Sequence, residues 1–109
     1  MSVSAARLVQ VASLSDVPLG WVLKVRLGSR ELAVARNEDG VFVVDNACTH
    51  AGGPVGDTRL KEACFVECPW HNSVFDVRTG AVVRGPARKE LKTYDIVVED
   101  GKIFVSLPD

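Results

Sequence analysis

Two cysteine–histidine pairs, Cys48-Thr49-His50 and Cys68-Pro69-Trp70-His71, set the tightest limit on how this chain folds. Seventeen residues separate His50 from Cys68, so the whole pattern reads C-x-H-x17-C-x2-H. The chain has only 2 histidines, and each lies within three residues of a cysteine. Chance placement would rarely do that. Thiolate sulfur and imidazole nitrogen are metal ligands, and each short segment offers one of each. The segments act together only as loops that face one another, so the rest of the chain must be a frame that supports them.

Hydrophobic patterning supplies β-strands for that frame. Segments rich in Val, Ile and Phe recur between Gly, Asp and Asn, and no window sustains the apolar repeat of a long helix. The expectation is an all-β chain with strands at Arg7 to Ala12, Gly20 to Leu27, Glu31 to Arg36, Val41 to Asp45, Leu91 to Val98 and Lys102 to Leu107. Asp39-Gly40 marks one turn, and Glu99-Asp100-Gly101 marks a hairpin whose glycine accepts a positive φ. Residues 46–86 differ in being rich in Gly, Pro, Cys and His, with Ala63 to Glu67 and Val74 to Val77 as short strands supporting loops. Trp21, Phe42, Phe104 and the valine-rich strands are assigned to the core, and Cys64 to a buried strand position. At 109 residues the expectation is one domain over 1–109, with the chemistry at about 46–86.

Two chemistries suit the ligands. If one iron takes both cysteines and a second takes both histidines, then Cys48, His50, Cys68 and His71 form the ligand set of a Rieske-type [2Fe–2S] cluster. Two ferric ions, two sulfides, two thiolates and two neutral imidazoles sum to zero charge, whereas four thiolates leave minus two. An electron therefore enters the mixed cluster more easily, and such centres lie at roughly −150 to +300 mV against about −400 mV for four-cysteine plant-type clusters. The other chemistry is a zinc-stabilised interaction module, to which Cys64, in Cys64-x3-Cys68, offers a further ligand. A C-x-H pair is an unusual zinc spacing, and the common C-x2-C with H-x3-H pattern is absent.

The segments CTHAGG and CPWHNSVFDVRTG resemble the two cluster-binding loops of the Rieske family, specifically of its soluble ferredoxins. That resemblance implies a Rieske-type fold, with an antiparallel β-sandwich base and an inserted loop-rich cluster-binding subdomain. Gly85-Pro86 resembles the proline-containing third loop that covers the cluster. Ser73 takes the place of a serine that donates to a bridging sulfide, and Gly53, with Gly52, lets backbone N–H groups turn toward the cluster. Trp70, between two ligands, shields the cluster from water or meets a partner. Asn72 stands where the family has glycine, and asparagine tolerates a left-handed backbone. Membrane-complex relatives have two further loop cysteines, matched here by Gly53 and Trp70, so their disulfide cannot form. Phe75 replaces their tyrosine, and the lost hydroxyl donor implies a potential at the low end of the Rieske range.

By the same resemblance the chain is an electron carrier, not itself an enzyme. Such a ferredoxin takes single electrons from an NAD(P)H-dependent flavoprotein reductase and passes them to the terminal oxygenase of a dioxygenase system. Once both histidines bind the cluster, none is left for the mononuclear iron site of a catalytic subunit. The small subunit of a nitrite reductase has the same domain, but many of those have lost ligands that are intact here. The net charge of −1, with acids and bases interspersed, argues against nucleic acid. No apolar run has bilayer-spanning length and the N-terminus lacks a signal peptide's apolar centre, so the expectation is a cytoplasmic monomer off the membrane. Three cysteines, an odd number, make a disulfide framework unexpected. Arg84, Arg88 and Lys89, near the third loop, either steer an acidic partner or form a solvated surface.

Overall fold

Side chains alternate between the two faces of a strand, and along β3 (Arg30–Asn37) both faces are apolar: Leu32, Ala33, Val34 and Ala35 are all fully buried. A strand of that kind belongs in a middle layer, covered on both sides. The computed structural model describes residues 7–46, 58–62, 64–68, 72–85 and 87–107, and β3 is central within them. The other strands are β1 (Arg7–Ser13), β2 (Trp21–Leu27), β4 (Gly40–Asp45), β5 (Thr58–Arg59), β6 (Phe65–Glu67), β7 (Val74–Asp76), β8 (Val82–Arg84), β9 (Thr93–Tyr94), β10 (Ile96–Glu99) and β11 (Lys102–Leu107). They form three antiparallel sheets, ordered β5-β2-β3-β4-β9, β1-β11-β10 and β6-β7-β8.

Register sorts the side chains of the five-stranded sheet into two cores. Val34 lies opposite Leu23 and Val43, on the face that packs with Ile103, Val105 and Leu107 of β11. Ala35 lies opposite Val22 and Phe42, and Ala33 opposite Val44, on the face that packs with Val66, Cys68, Phe75 and Val77 of the short-stranded sheet. The first pair of sheets is the expected sandwich base, and the third sheet is the platform of the loop-rich segment. Small alanines on that side leave room for Phe75, which is fully buried. Burying a side chain of this size contributes roughly 1.5–3 kcal/mol.

Three expectations need correction. The segment Leu91 to Val98 is two strands, because the chain leaves the five-stranded sheet after Tyr94 and joins β11 at Ile96. The phenol of Tyr94 donates to Asp45 and accepts from Arg30, which keeps β9 beside β4. Trp21 is not a core residue. It is 40% exposed and lies under its cross-strand neighbour Arg59, whose guanidinium carbon is 5.2 Å from the ring centroid. Cys64 lies in a turn before β6 and is partly exposed, and its carbonyl accepts the N–H of Val77. Phe42 packs partly buried against the platform core, and Phe104 is likewise half-buried.

The Glu99–Lys102 hairpin closes through Asp100 and Gly101, whose φ values of 54° and 73° define the two-residue turn that matches strand twist. Gly80 serves a close approach instead. A Cβ there would collide with the carbonyl oxygen of Leu91, which is hydrogen-bonded in turn through its N–H to Gly80 O at 2.8 Å. Gly80→Ala should therefore cost at least about 3 kcal/mol, whereas Gly28→Ala, at a similar positive φ with open space around it, should cost only about 1–2 kcal/mol. Urea denaturation of the two variants checks the difference.

Candidate metal centre

Cys68 follows β6 directly, and β7 begins six residues later at Val74. The peptide groups between them close a narrow loop: Cys68 N–H donates to Ser73 O at 2.8 Å, and Asn72 N–H donates to Cys68 O at 2.8 Å. Asn72 takes the left-handed conformation that its side chain tolerates, with φ 63°. Cys68 is fully buried and its thiol is unbridged. The second ligand segment thus hangs from a β-hairpin whose cysteine is anchored in the platform core.

Ser73 is also fully buried, and its Oγ accepts the N–H of Ala87 at 2.9 Å. This bond ties the segment after Pro86 to the segment after His71, across fourteen positions of chain. A hydroxyl that accepts one hydrogen bond still has its own proton to donate. Ser73 therefore braces the segment that follows Pro86 and still has its own proton to donate.

Arg84, at the end of β8, reaches across β7 to the same loop. Its guanidinium lies 3.4 Å from Asn72 O and 3.4 Å from the carboxylate of Glu67, and Glu67 also pairs with Lys61 at 3.0 Å. Glu67 precedes Cys68 and Asn72 follows His71, so one arginine brackets both ends of the loop. At the β7–β8 turn, Asp76 accepts from the backbone N–H of Arg78 at 2.8 Å and from its guanidinium at 3.0 and 2.7 Å. These hydrogen bonds hold the Asp76 carboxyl below the usual range against the opposing effect of burial, and raise the Arg78 guanidinium.

The segment leaves and rejoins the base at one place. Asp45 N–H donates to Lys92 O at 3.0 Å, beside the Tyr94–Asp45 hydrogen bond, and Arg30 donates to the same phenol at 3.2 Å. Burial, reinforced by the Asp45 carboxylate, pushes the Tyr94 phenol up.

Of the residues singled out in the sequence, Cys68, Asn72 and Ser73 are brought together as described. Cys48, His50, His71, Gly53, Trp70 and Pro86 lie outside the described residues. Among the described residues no three potential metal ligands converge, since Cys68 is the one member of the quartet they contain. Sequence reasoning missed the Arg84 bracket and the Asp76–Arg78 fork. The fork had a local signal in Asp76-Val77-Arg78-Thr79-Gly80, a turn sequence that opens with an aspartate. A buried thiol at the neck of a braced hairpin suits thiolate ligation of a cluster.

Comparison with known proteins identifies the class. The Rieske [2Fe-2S] domain matches residues 7–95, and the chain belongs to that family. Its cofactor is accordingly a Rieske-type [2Fe–2S] cluster. The chain is 33% identical over 99 residues to the ferredoxin component of the naphthalene 1,2-dioxygenase/salicylate 5-hydroxylase systems of a Ralstonia species, covering 91% of this chain and 94% of that one. The ferredoxin of carbazole 1,9a-dioxygenase from Nocardioides aromaticivorans IC177 superimposes with a TM-score of 0.84 at 32% identity, covering 92% of this chain and 97% of that one. A ferredoxin chain in a complex of reduced oxygenase and oxidized ferredoxin in carbazole 1,9a-dioxygenase matches with a TM-score of 0.83 at 28% identity, covering 94% and 95% of the two chains. The expected Rieske fold is the one observed.

Ser73→Ala leaves the buried N–H of Ala87 without its acceptor and should cost about 1–3 kcal/mol in chemical denaturation. Asp76 has a depressed pKa in the folded chain, so its contribution is complete above the unfolded value of about 3.9 and is lost as pH falls through the folded value. The stability gap between the protein and Arg78→Ala should therefore be widest near neutral pH and should close below about pH 4. Urea midpoints across that range measure it.

Proposed function

We propose that this chain is a soluble electron carrier, the ferredoxin component of a multicomponent oxygenase system, with its cluster held by Cys48, His50, Cys68 and His71. The observation that carries this is the placement of Cys68: it is buried at the neck of a hairpin, hydrogen-bonded to Ser73, which in turn holds Ala87. The bound cluster supplies a site that takes up and gives back one electron. The chain's residues do the rest. The platform core keeps water from the Cys68 side, Ser73 braces the segment after Pro86, and Arg84 bonds both Glu67 and Asn72. Ser73, Trp70, Gly53 and Pro86 are assigned to the surroundings of the cluster rather than to its ligation.

A terminal oxygenase is the acceptor in this proposal, supported by the matched ferredoxin chain found with its oxygenase. An NAD(P)H-dependent flavoprotein reductase is the donor. The carrier is a cytoplasmic monomer folded as one domain over residues 1–109, with the cluster-binding part near 46–86. Among the described residues no helix is long and apolar enough to cross a membrane. Phe75, buried where membrane-complex relatives have a tyrosine, offers no hydroxyl to the cluster, which supports a potential at the low end of roughly −150 to +300 mV.

The test is metal and sulfide analysis with low-temperature EPR before and after dithionite. The expected outcome is two irons and two acid-labile sulfides per chain, a silent oxidised form and a rhombic reduced signal of low average g. Cys68→Ser should remove the signal and Cys64→Ser should keep it. Stoichiometric zinc without sulfide after anaerobic, iron-supplemented preparation would sink the proposal.

A further inference from the structure

The five-stranded sheet ends where the first ligand pair begins. β4 stops at Asp45, and Cys48 follows three positions later in sequence, with 47–57 outside the described residues. Register gathers three polar side chains at that end. Asp45 lies opposite Leu32, Tyr94 lies opposite Val43, and Arg30 stands two positions before Leu32, so all three share the face that packs into the sandwich base. Arg30 of β3 donates to the phenol of Tyr94 of β9 at 3.2 Å, and that phenol donates to Asp45 of β4. One hydroxyl thus joins three strands.

Backbone bonds close the same corner. Asp45 N–H donates to Lys92 O at 3.0 Å, and Asn46 N–H donates to Glu31 O at 2.9 Å. β4 does not need the phenol to stay in the sheet, because it pairs with β3 along its whole length, from Asn37 with Gly40 to Leu32 with Asp45. What the phenol adds is a side-chain tether on the last paired residue. Two residues of extended chain span at most about 7 Å, so Cys48 stays within that reach of Asn46 in any conformation, and a shift of residues 45 and 46 passes directly to the ligand pair. Tyr94 is buried, which shields the tether from competing water, and burial with the Asp45 carboxylate raises its pKa, so it stays a donor well into alkaline pH.

We propose that Tyr94 is a positioning residue for the cluster: acting through Asp45, its hydroxyl fixes the point from which the Cys48-Thr49-His50 segment leaves the sheet. This rests on the electron-carrier reading and adds to it a residue 44 positions beyond His50 in sequence on which the first ligand pair depends. Without the hydroxyl, Asp45 loses its donor and its carboxylate faces Arg30 across the space the oxygen filled.

The experiment follows the cluster in the whole protein. Tyr94→Phe should lose its visible absorbance in excess EDTA several-fold faster than the parent, and its reduced EPR signal should broaden. Ile103, fully buried on β11 beside the far hairpin, supplies the comparison: its truncation to Val or Ala, whichever matches the urea midpoint of Tyr94→Phe, should leave both the rate and the signal close to the parent's. Asp45→Asn keeps an oxygen that can accept from the phenol and should resemble the parent, whereas Asp45→Ala removes it and should behave as Tyr94→Phe does. That pair decides the question even where Tyr94→Phe does not fold. Cluster loss no faster than in the Ile103 variant of matched stability, with an unchanged signal, or identical rates for Asp45→Asn and Asp45→Ala, would overturn the positioning role while leaving the carrier intact. A parent protein with no reducible cluster would overturn the carrier reading itself, and the positioning role with it.

Discussion

The double burial of β3 is the constraint from which the rest of the structure follows. Leu32 and Val34 belong to the sandwich base, whereas Ala33 and Ala35 belong to the platform beneath the candidate centre. The strand is thus asymmetric in volume as well as shared between layers. Large side chains fill the base side, and small ones on the other let Phe75 and Cys68 settle close to the sheet. Core interiors tolerate little change of volume, so the two alanines, which carry no chemistry, belong to the packing that buries the cysteine.

The platform itself is slight. Its three strands are three residues each, too short to be stable as an isolated sheet. What holds them is a set of polar ties between segments distant in sequence, laid over the shared core: Ser73 to Ala87, Arg84 to Glu67 and Asn72, and Gly80 to Leu91. A buried N–H left unpaired is costly, so the bonds donated by buried Ala87 and Leu91 favour one arrangement of these segments over its alternatives. Rigid placement of ligand loops matters for a redox site, because an electron transfers readily where the surroundings hardly move.

The strands of the base were legible because each is a short run rich in Val, Ile, Leu or Phe between clear turn signals, as the β10–β11 hairpin with its Asp100-Gly101 turn illustrates. The change of sheet after Tyr94 was not, since period-two patterning reports a strand and not its neighbour. The hydroxyl of a single tyrosine decides that corner, through a partner 49 positions away. Trp21 misled for a related reason: an aromatic ring beside an edge strand can rest on a cross-strand cation instead of a core. At the site, ligand spacing exposed the chemistry, because metal ligation demands particular residue types at short intervals. The braces stayed hidden because serine, arginine and glutamate are common everywhere, and only the folded chain brings Ser73 to Ala87 or Arg84 to Glu67.

The bonds joining Asp45 to Lys92 and to Tyr94 bear on how such a chain can change over time. They bring together the two ends of the segment between those residues, which touches the base sheet again through β5. Lengthening a loop within it adds only about 0.6 kcal/mol of closure cost per doubling. Loops within the segment that meet different partners can therefore be enlarged or trimmed, provided that β5 keeps its pairing with β2 and the platform keeps its core against β3.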